Sequence, residues 1–116
     1  MKTRLSISQR LVLSGMLIDE ENTFDTLKLL RKVKEELSLS EAEIKAVGYT
    51  SEPLPNGRFA SKWLHPENDP NKEIDFGEIV YHLIKRKLYK LDHEAQLKEN
   101  QLDLYDIFVK QEEKNG

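Results

Sequence analysis

Residues 23–37, TFDTLKLLRKVKEEL, form the stretch of this chain whose pattern most clearly indicates a secondary structure. Apolar side chains recur there at spacings of three and four, which is the period of one face of an α-helix. These side chains are Phe24, Leu27, Leu30, Val33 and Leu37. Asn22 or Thr23 can cap the first turn. The pattern predicts an amphipathic helix that buries its apolar stripe against the rest of the protein.

Helices are also predicted on both sides of this stretch. The preceding one covers about residues 6–17, where Ser6 and Gln9 have the spacing of a capping box. Its second half is apolar on almost every side, which is typical of a central helix or of an interface. The following one is short and covers about residues 40–47. Ser40 and Glu43 form its capping box, and Gly48 stands where a left-handed C-terminal residue is expected.

Two further helices are predicted in the second half of the chain. The fourth covers about residues 75–91, with Asp75 and Glu78 as a capping box and Ile74 and Ile79 as a hydrophobic staple. Its apolar stripe consists of Ile79, Val80, Leu83, Ile84, Leu88 and Leu91. The last helix covers about residues 100–109, and a polar tail, 110–116, is expected to fray. The predicted fold is therefore all-α, with about five helices in one domain that spans residues 1–116.

Residues 49–74 interrupt this helical pattern. The four prolines of the chain lie here, and the segment is expected to be irregular or weakly β. Residues 58–64 can form one strand, with Phe59 and Trp63 on the same face. A hairpin about Asn56-Gly57 is the less favoured alternative, because Pro-Leu-Pro precedes the turn. The apolar side chains of the insert either cover the core as a lid or anchor a protein partner. The candidate partner-binding residues are Tyr49, Phe59, Trp63 and Leu64.

Composition excludes several classes of site. The chain has 116 residues, a formal net charge of −3 and no cysteine, so disulfides, thiolate catalysis and cysteine-based metal sites are excluded. The absence of cysteine fits a reducing cytoplasm, which is the expected location. The apolar run at residues 11–18 is too short to span a bilayer, and no membrane association is expected.

No arrangement of residues indicates catalysis. The three histidines, His65, His82 and His93, have no metal-ligand spacing, and the glycines are too scattered for a phosphate loop. No serine lies in a nucleophile elbow. The chain is therefore expected not to be an enzyme and to need no cofactor or metal.

The helices at residues 23–48 also permit a helix-turn-helix interpretation, which is the alternative function. The would-be recognition helix begins with Glu41 and Glu43, whose carboxylates would face phosphates. A basic group, Lys85-Arg86-Lys87 with Lys90, lies near the end of the fourth helix, where cations also suit the helix dipole. Nucleic acid is therefore not the expected partner, and no specific duplex binding is expected at physiological salt.

Self-association is the expected mode of action. The first and last helices carry more apolar surface than one neighbour needs, and a symmetric dimer would bury the excess. The candidate self-association residues are Leu13, Leu17, Tyr105 and Phe108. The alternative is that these two helices cover each other within a monomer.

Several segments together resemble small uncharacterised helical proteins of phages and prophages. These segments are Gln9-Arg10-Leu11-Val12-Leu13 with Leu17, Asn22-Thr23, Leu27-Lys28, residues 37–43 and residues 102–108. The resemblance implies a small protein of a mobile element and supplies no catalytic residue. The expected function is a non-enzymatic protein–protein interaction or assembly protein, which binds itself or another protein.

Overall fold

The computed structural model describes residues 1–110, so the predicted polar tail lies outside the described residues except for Lys110. The strands are β1 (Lys2–Leu5), β2 (Tyr49–Pro53), β3 (Phe59–Trp63) and β4 (Lys72–Asp75). The α-helices are α1 (Ile7–Met16), α2 (Phe24–Leu37), α3 (Glu41–Val47), α4 (Gly77–His93) and α5 (Leu102–Tyr105). Short 3₁₀ turns occur at Pro66–Asn68 and Glu99–Gln101, and a π-helical turn, Asp106–Lys110, continues α5.

The predicted all-α class is wrong, because the described residues form a mixed α/β structure. Two antiparallel two-stranded sheets accompany the helices, one made of β1 and β4 and the other of β2 and β3. In the first sheet Lys2 lies opposite Asp75 and Leu5 lies opposite Lys72. Each of these two strands has four residues, so neither carries enough positions for a period of two to stand out. Their pairing joins segments far apart in the chain, which no local pattern indicates.

The first three helices begin where their capping residues predict. The side chain of Ser6 accepts a hydrogen bond from the Gln9 N–H and that of Ser40 accepts one from the Glu43 N–H, and both capping boxes are complete. Gly48 ends α3 with a backbone φ of 62°, as predicted for a left-handed C-terminal residue. These predictions are confirmed because a cap depends only on residues within one turn of the helix end.

The predicted start of α4 is wrong. Ile74 lies in β4 and is buried there, so the chain is still extended at the position where the capping box was expected. Asp75 Oδ1 instead accepts a hydrogen bond from the Gly77 N–H at 3.0 Å, and α4 begins at Gly77. Ile79, the other member of the expected staple, is 55% exposed. The pairing of β4 with β1 has therefore overridden a local helix-start signal.

Asp75 gives a testable pH dependence. The Gly77 N–H, and after it the terminal ammonium group of Met1, hold the pKa of Asp75 below its usual value. Its carboxylate therefore stabilises the fold above the unfolded-state pKa, and this contribution is lost as the pH falls through the folded-state pKa. We expect Asp75→Asn to be less stable than the wild type at neutral pH and equally stable in strong acid. Urea denaturation along a pH series checks this, and a difference independent of pH would contradict it.

The described chain divides into two compact units. The first contains residues 1–38 and the described residues from 72 onward, and the second contains residues 39–71. The first unit holds one hydrophobic core, to which α1, α2, β4, α4 and the C-terminal helical segment contribute. The fully buried members of this core are Leu5, Leu13, Leu17, Ile84, Leu88, Leu104 and Phe108. The second unit consists of α3, the β2–β3 hairpin and the 3₁₀ turn at Pro66–Asn68.

The α2 stripe is only partly buried. Leu30, Val33 and Leu37 lie in the core, whereas Phe24 is 74% exposed and Leu27 is 38% exposed. Of the fourth-helix stripe, the four central members are buried. The periodicity therefore identified the correct faces but overestimated how far each face is covered.

Candidate protein-interaction site

The turn between β2 and β3 explains why the less favoured hairpin is the one that forms. The Gly57 N–H donates to the Leu54 carbonyl at 3.1 Å, and the Leu54 N–H donates to the Arg58 carbonyl at 2.7 Å. Gly57 has a φ of 82°, and Asn56 Oδ1 accepts from the Arg58 N–H at 3.0 Å. The loop therefore has three residues, with Pro55 in the second position of a β-turn, which proline favours.

The register of the hairpin collects three of the four predicted partner-binding residues on one face. Tyr49 lies opposite Trp63, Ser51 opposite Ser61 and Pro53 opposite Phe59. Side chains alternate along a strand, so these six residues point to the same side, which we call the aromatic face. The opposite face carries Lys62 and Glu52, whose charged groups lie 3.8 Å apart.

Two rings are in contact at one end of the aromatic face, and a single exposed ring lies at the other end. The rings of Tyr49 and Trp63 meet edge to face with centroids 5.3 Å apart. The Tyr49 hydroxyl lies 3.2 Å from the Ser61 hydroxyl, and both belong to exposed or half-buried residues. At the other end Phe59 is 69% exposed. An exposed phenylalanine beside an ordered aromatic pair is the kind of surface that partners cover.

Leu64, the fourth predicted residue, follows β3 and does not belong to the aromatic face. Its side chain lies against the backbone of Gly48, where an added Cβ would approach the Leu64 Cβ to 2.9 Å. It is nevertheless 68% exposed. Phe59 and Leu64 are both largely exposed, which favours the partner-binding role of these residues over the alternative role as a lid.

The free edges of the hairpin differ in their hydrogen-bonding capacity. Bonds from the Leu54 N–H to Arg58 and from the Leu64 N–H to Gly48 mark the even-numbered positions as those that face the partner strand. The odd-numbered residues of β3, Phe59, Ser61 and Trp63, therefore direct their N–H and C=O groups away from β2. On the β2 edge, Pro53 lies opposite Phe59 and has no N–H to offer to another strand. Among residues 1–110 no third strand pairs with either edge.

The predicted self-association residues lie elsewhere and are mostly buried within one chain. Leu13, Leu17 and Phe108 are fully buried in the core of the first unit. Tyr105 is half-buried, and its hydroxyl donates to Asp92 Oδ2 at 3.1 Å. The burial of Leu13, Leu17 and Phe108 favours the alternative in which the first and last helices cover each other, and self-association through these residues stays a prediction.

Arg10 is a feature that the sequence patterns did not single out. Arg10 lies in α1 and its side chain is fully buried. Its Nη1 donates a hydrogen bond to the Ser38 carbonyl at 3.4 Å. Arginine is almost never fully buried unless it is paired, so this guanidinium is part of the internal structure of the first unit.

The other classes of site considered from the sequence gain no support from the geometry. The two helices of the helix-turn-helix interpretation, α2 and α3, fall in different compact units, and α3 has seven residues. Within residues 1–110 no three histidine, aspartate or glutamate side chains are grouped as around a metal ion. None of the helices in that part of the chain is long and apolar enough to cross a bilayer.

No family model, no curated protein and no solved structure matches the chain. The resemblance to small phage and prophage proteins therefore stays a prediction.

Proposed function

We propose that this protein is a non-enzymatic interaction protein and that it forms a two-fold dimer by pairing β3 with β3 of a second copy. The observation that carries the proposal is the exposed edge of β3, whose three outward residues also display the aromatic face. Proteins usually protect such an edge with charges, proline or a covering segment. Here the proline lies on the β2 edge, and no strand among residues 1–110 pairs with the β3 edge.

The residues of β3 are self-complementary about Ser61. In an antiparallel pair centred on Ser61, Phe59 lies opposite Trp63 of the second copy, and Ala60 lies opposite Lys62. The two aromatic pairs then extend the aromatic face across the interface, and no like charges lie directly opposite each other. All of the outward N–H and C=O groups of Phe59, Ser61 and Trp63 find partners in this register.

Sheet energetics favour this arrangement. A two-stranded hairpin is marginally stable by itself in water, whereas a larger sheet with one apolar face is stable. Dimerisation through β3 converts two hairpins into one four-stranded sheet and places Trp63 of the second copy beside Phe59, which is 69% exposed in the single chain. A closed two-fold pair also leaves no open-ended edge for further β3 association.

Proline substitution at Ser61 tests the proposal. The Ser61 N–H points away from β2, so Ser61→Pro should remove bonds of the dimer and keep those of the hairpin. We expect light scattering coupled to gel filtration, across a concentration series, to report a dimer for the wild type and a monomer for this variant.

Ser51→Pro is the matched control, because Ser51 lies opposite Ser61 and its N–H points outward from the other edge. This variant should stay dimeric. A wild type that remains monomeric up to hundreds of micromolar would overturn the proposal, and so would equal dissociation by the two substitutions. Circular dichroism at the same concentrations shows whether each variant is folded.

A further inference from the structure

The exposed side of α4 carries a second surface, which is unrelated to the hairpin. Six residues recur there at spacings of three and four: His82, Lys85, Arg86, Tyr89, Lys90 and His93. They line a shallow groove of about 580 Å³ on the side of the helix opposite its buried residues Val80, Ile84 and Leu88. Eleven helical steps separate the first residue from the last, which gives a stripe about 16 Å long. We call this surface the α4 stripe.

The α4 stripe concentrates positive charge on a chain whose net charge is −3. Lys85, Arg86 and Lys90 follow one another along it, and no carboxylate lies among its six residues. Two acidic residues flank the last residue of the stripe in the sequence, and each contacts another side chain. Asp92 accepts a hydrogen bond from Tyr105 at 3.1 Å, and Glu94 lies 3.9 Å from Lys90. Lysine and arginine on one face of a helix are suited to phosphates spaced along a strand.

Tyr89 distinguishes this surface from a solvated basic helix. It lies in the middle of the stripe, is 57% exposed, and is flanked by Arg86 and Lys90. A flat aromatic ring among cations is the arrangement that binds unpaired bases, because every base has a face that can stack while its phosphate meets a cation. A bilayer surface would instead require several large apolar side chains beside the cations, and Tyr89 is the only large aromatic or aliphatic member of the stripe.

We propose that the α4 stripe binds single-stranded nucleic acid without sequence preference, with Lys85, Arg86 and Lys90 at phosphates and Tyr89 stacked on a base. Duplexes bind more weakly, because their bases are paired and Tyr89 has no face to stack on. This proposal uses residues of α4 alone and does not rest on dimerisation through β3.

Fluorescence anisotropy with a labelled oligothymidylate of about fifteen nucleotides tests this proposal. The full-length protein should bind at low salt, and the logarithm of the affinity should fall against the logarithm of salt with a slope of about −2 for three phosphate contacts. Tyr89→Ala should weaken binding about tenfold. Arg86→Glu with Lys90→Glu should abolish it.

The matched control is Arg31→Glu with Lys32→Glu, which makes the same charge change at two exposed positions of α2. Its affinity should stay close to that of the wild type. If the control variant loses as much affinity, binding depends on net charge and the proposed site is wrong. An unchanged affinity in Tyr89→Ala would also contradict the proposal. Polyglutamate is also a negatively charged polymer but has no bases. If it competes for the α4 stripe as well as oligothymidylate does, the stripe binds an acidic protein instead, and the proposal is contradicted. Absence of binding at low salt would contradict it as well.

Discussion

Replacing Phe108 with alanine should lower the free energy of unfolding by about 3–5 kcal/mol. Phe108 is fully buried, and its ring packs edge to face against Phe76 with centroids 5.2 Å apart. The Tyr81 ring lies on its other side at 5.1 Å. Alanine would leave a cavity beside Phe76, the N-cap residue of α4, and Tyr81 within α4, and the surrounding structure would relax only partly to fill it.

Urea denaturation followed by circular dichroism measures this loss. Phe108→Leu should cost less, because it retains most of the buried volume, and it keeps the prediction testable if the alanine variant does not fold. Leu102→Ala is the matched control in the same segment, since Leu102 is 51% exposed and should cost less than about 0.5 kcal/mol. A loss below about 1 kcal/mol for Phe108→Ala would show that this ring is not part of the core in solution. Phe108 would then again be a candidate contact residue for a second copy.

Phe108 was predicted as an interface residue and is a core residue in the structure. The reason lies in what helical spacing can and cannot indicate. Helical spacing put it on the apolar side of the last helix, and that side is indeed the buried one. Spacing cannot say whether a neighbour in the same chain or a second copy covers that side. In the structure Phe76 and Tyr81 of the same chain pack against it, and neither is a near neighbour of Phe108 in the sequence.

Local signals predicted the helices well because capping and periodicity act within a few residues. Ser6, Ser40 and Gly48 mark helix ends in the structure as they do in the sequence. The same kind of signal failed at Asp75, where strand pairing takes up Ile74 before the helix can begin. The hairpin was the less favoured alternative because Pro-Leu-Pro precedes Asn56-Gly57, but Pro55 fits the second position of the β-turn in a three-residue loop.

The aromatic face could be predicted only in part from the sequence, whereas the members of the α4 stripe follow from helical spacing alone. Phe59 and Trp63 were expected on one face because they are four residues apart in a strand, and Tyr49 joins them only through the hairpin register. The basic group of α4, Lys85-Arg86-Lys87 with Lys90, was defined mainly by adjacency in the sequence. Grouping by spacings of three and four would have added Tyr89 to Arg86 and Lys90 and so identified the α4 stripe.

The α2 stripe allows burial to be separated from pattern within a single helix. Leu30 and Phe24 belong to the same predicted face, but Leu30 is 1% exposed and Phe24 is 74% exposed. We expect Leu30→Ala to lower the free energy of unfolding by about 2–5 kcal/mol, because it opens a cavity where α2 packs in the core. Phe24→Ala should cost less than about 1 kcal/mol, mainly through the contact of its ring with Lys28.

Urea denaturation of both variants under identical conditions makes this comparison, and α2 supplies its own internal reference. Equal slopes of free energy against urea would show that neither substitution changes the compactness of the unfolded or folded state. A loss below about 0.5 kcal/mol for Leu30→Ala would mean that this part of α2 faces solvent or a partner. A large loss for Phe24→Ala would mean that the first turn of α2 is covered in solution, and a second copy could then be sought there by repeating the measurement at several protein concentrations. If Leu30→Ala is costly and Phe24→Ala is not, the core ends between these two residues, and the exposed start of α2 contributes little to the stability of the fold.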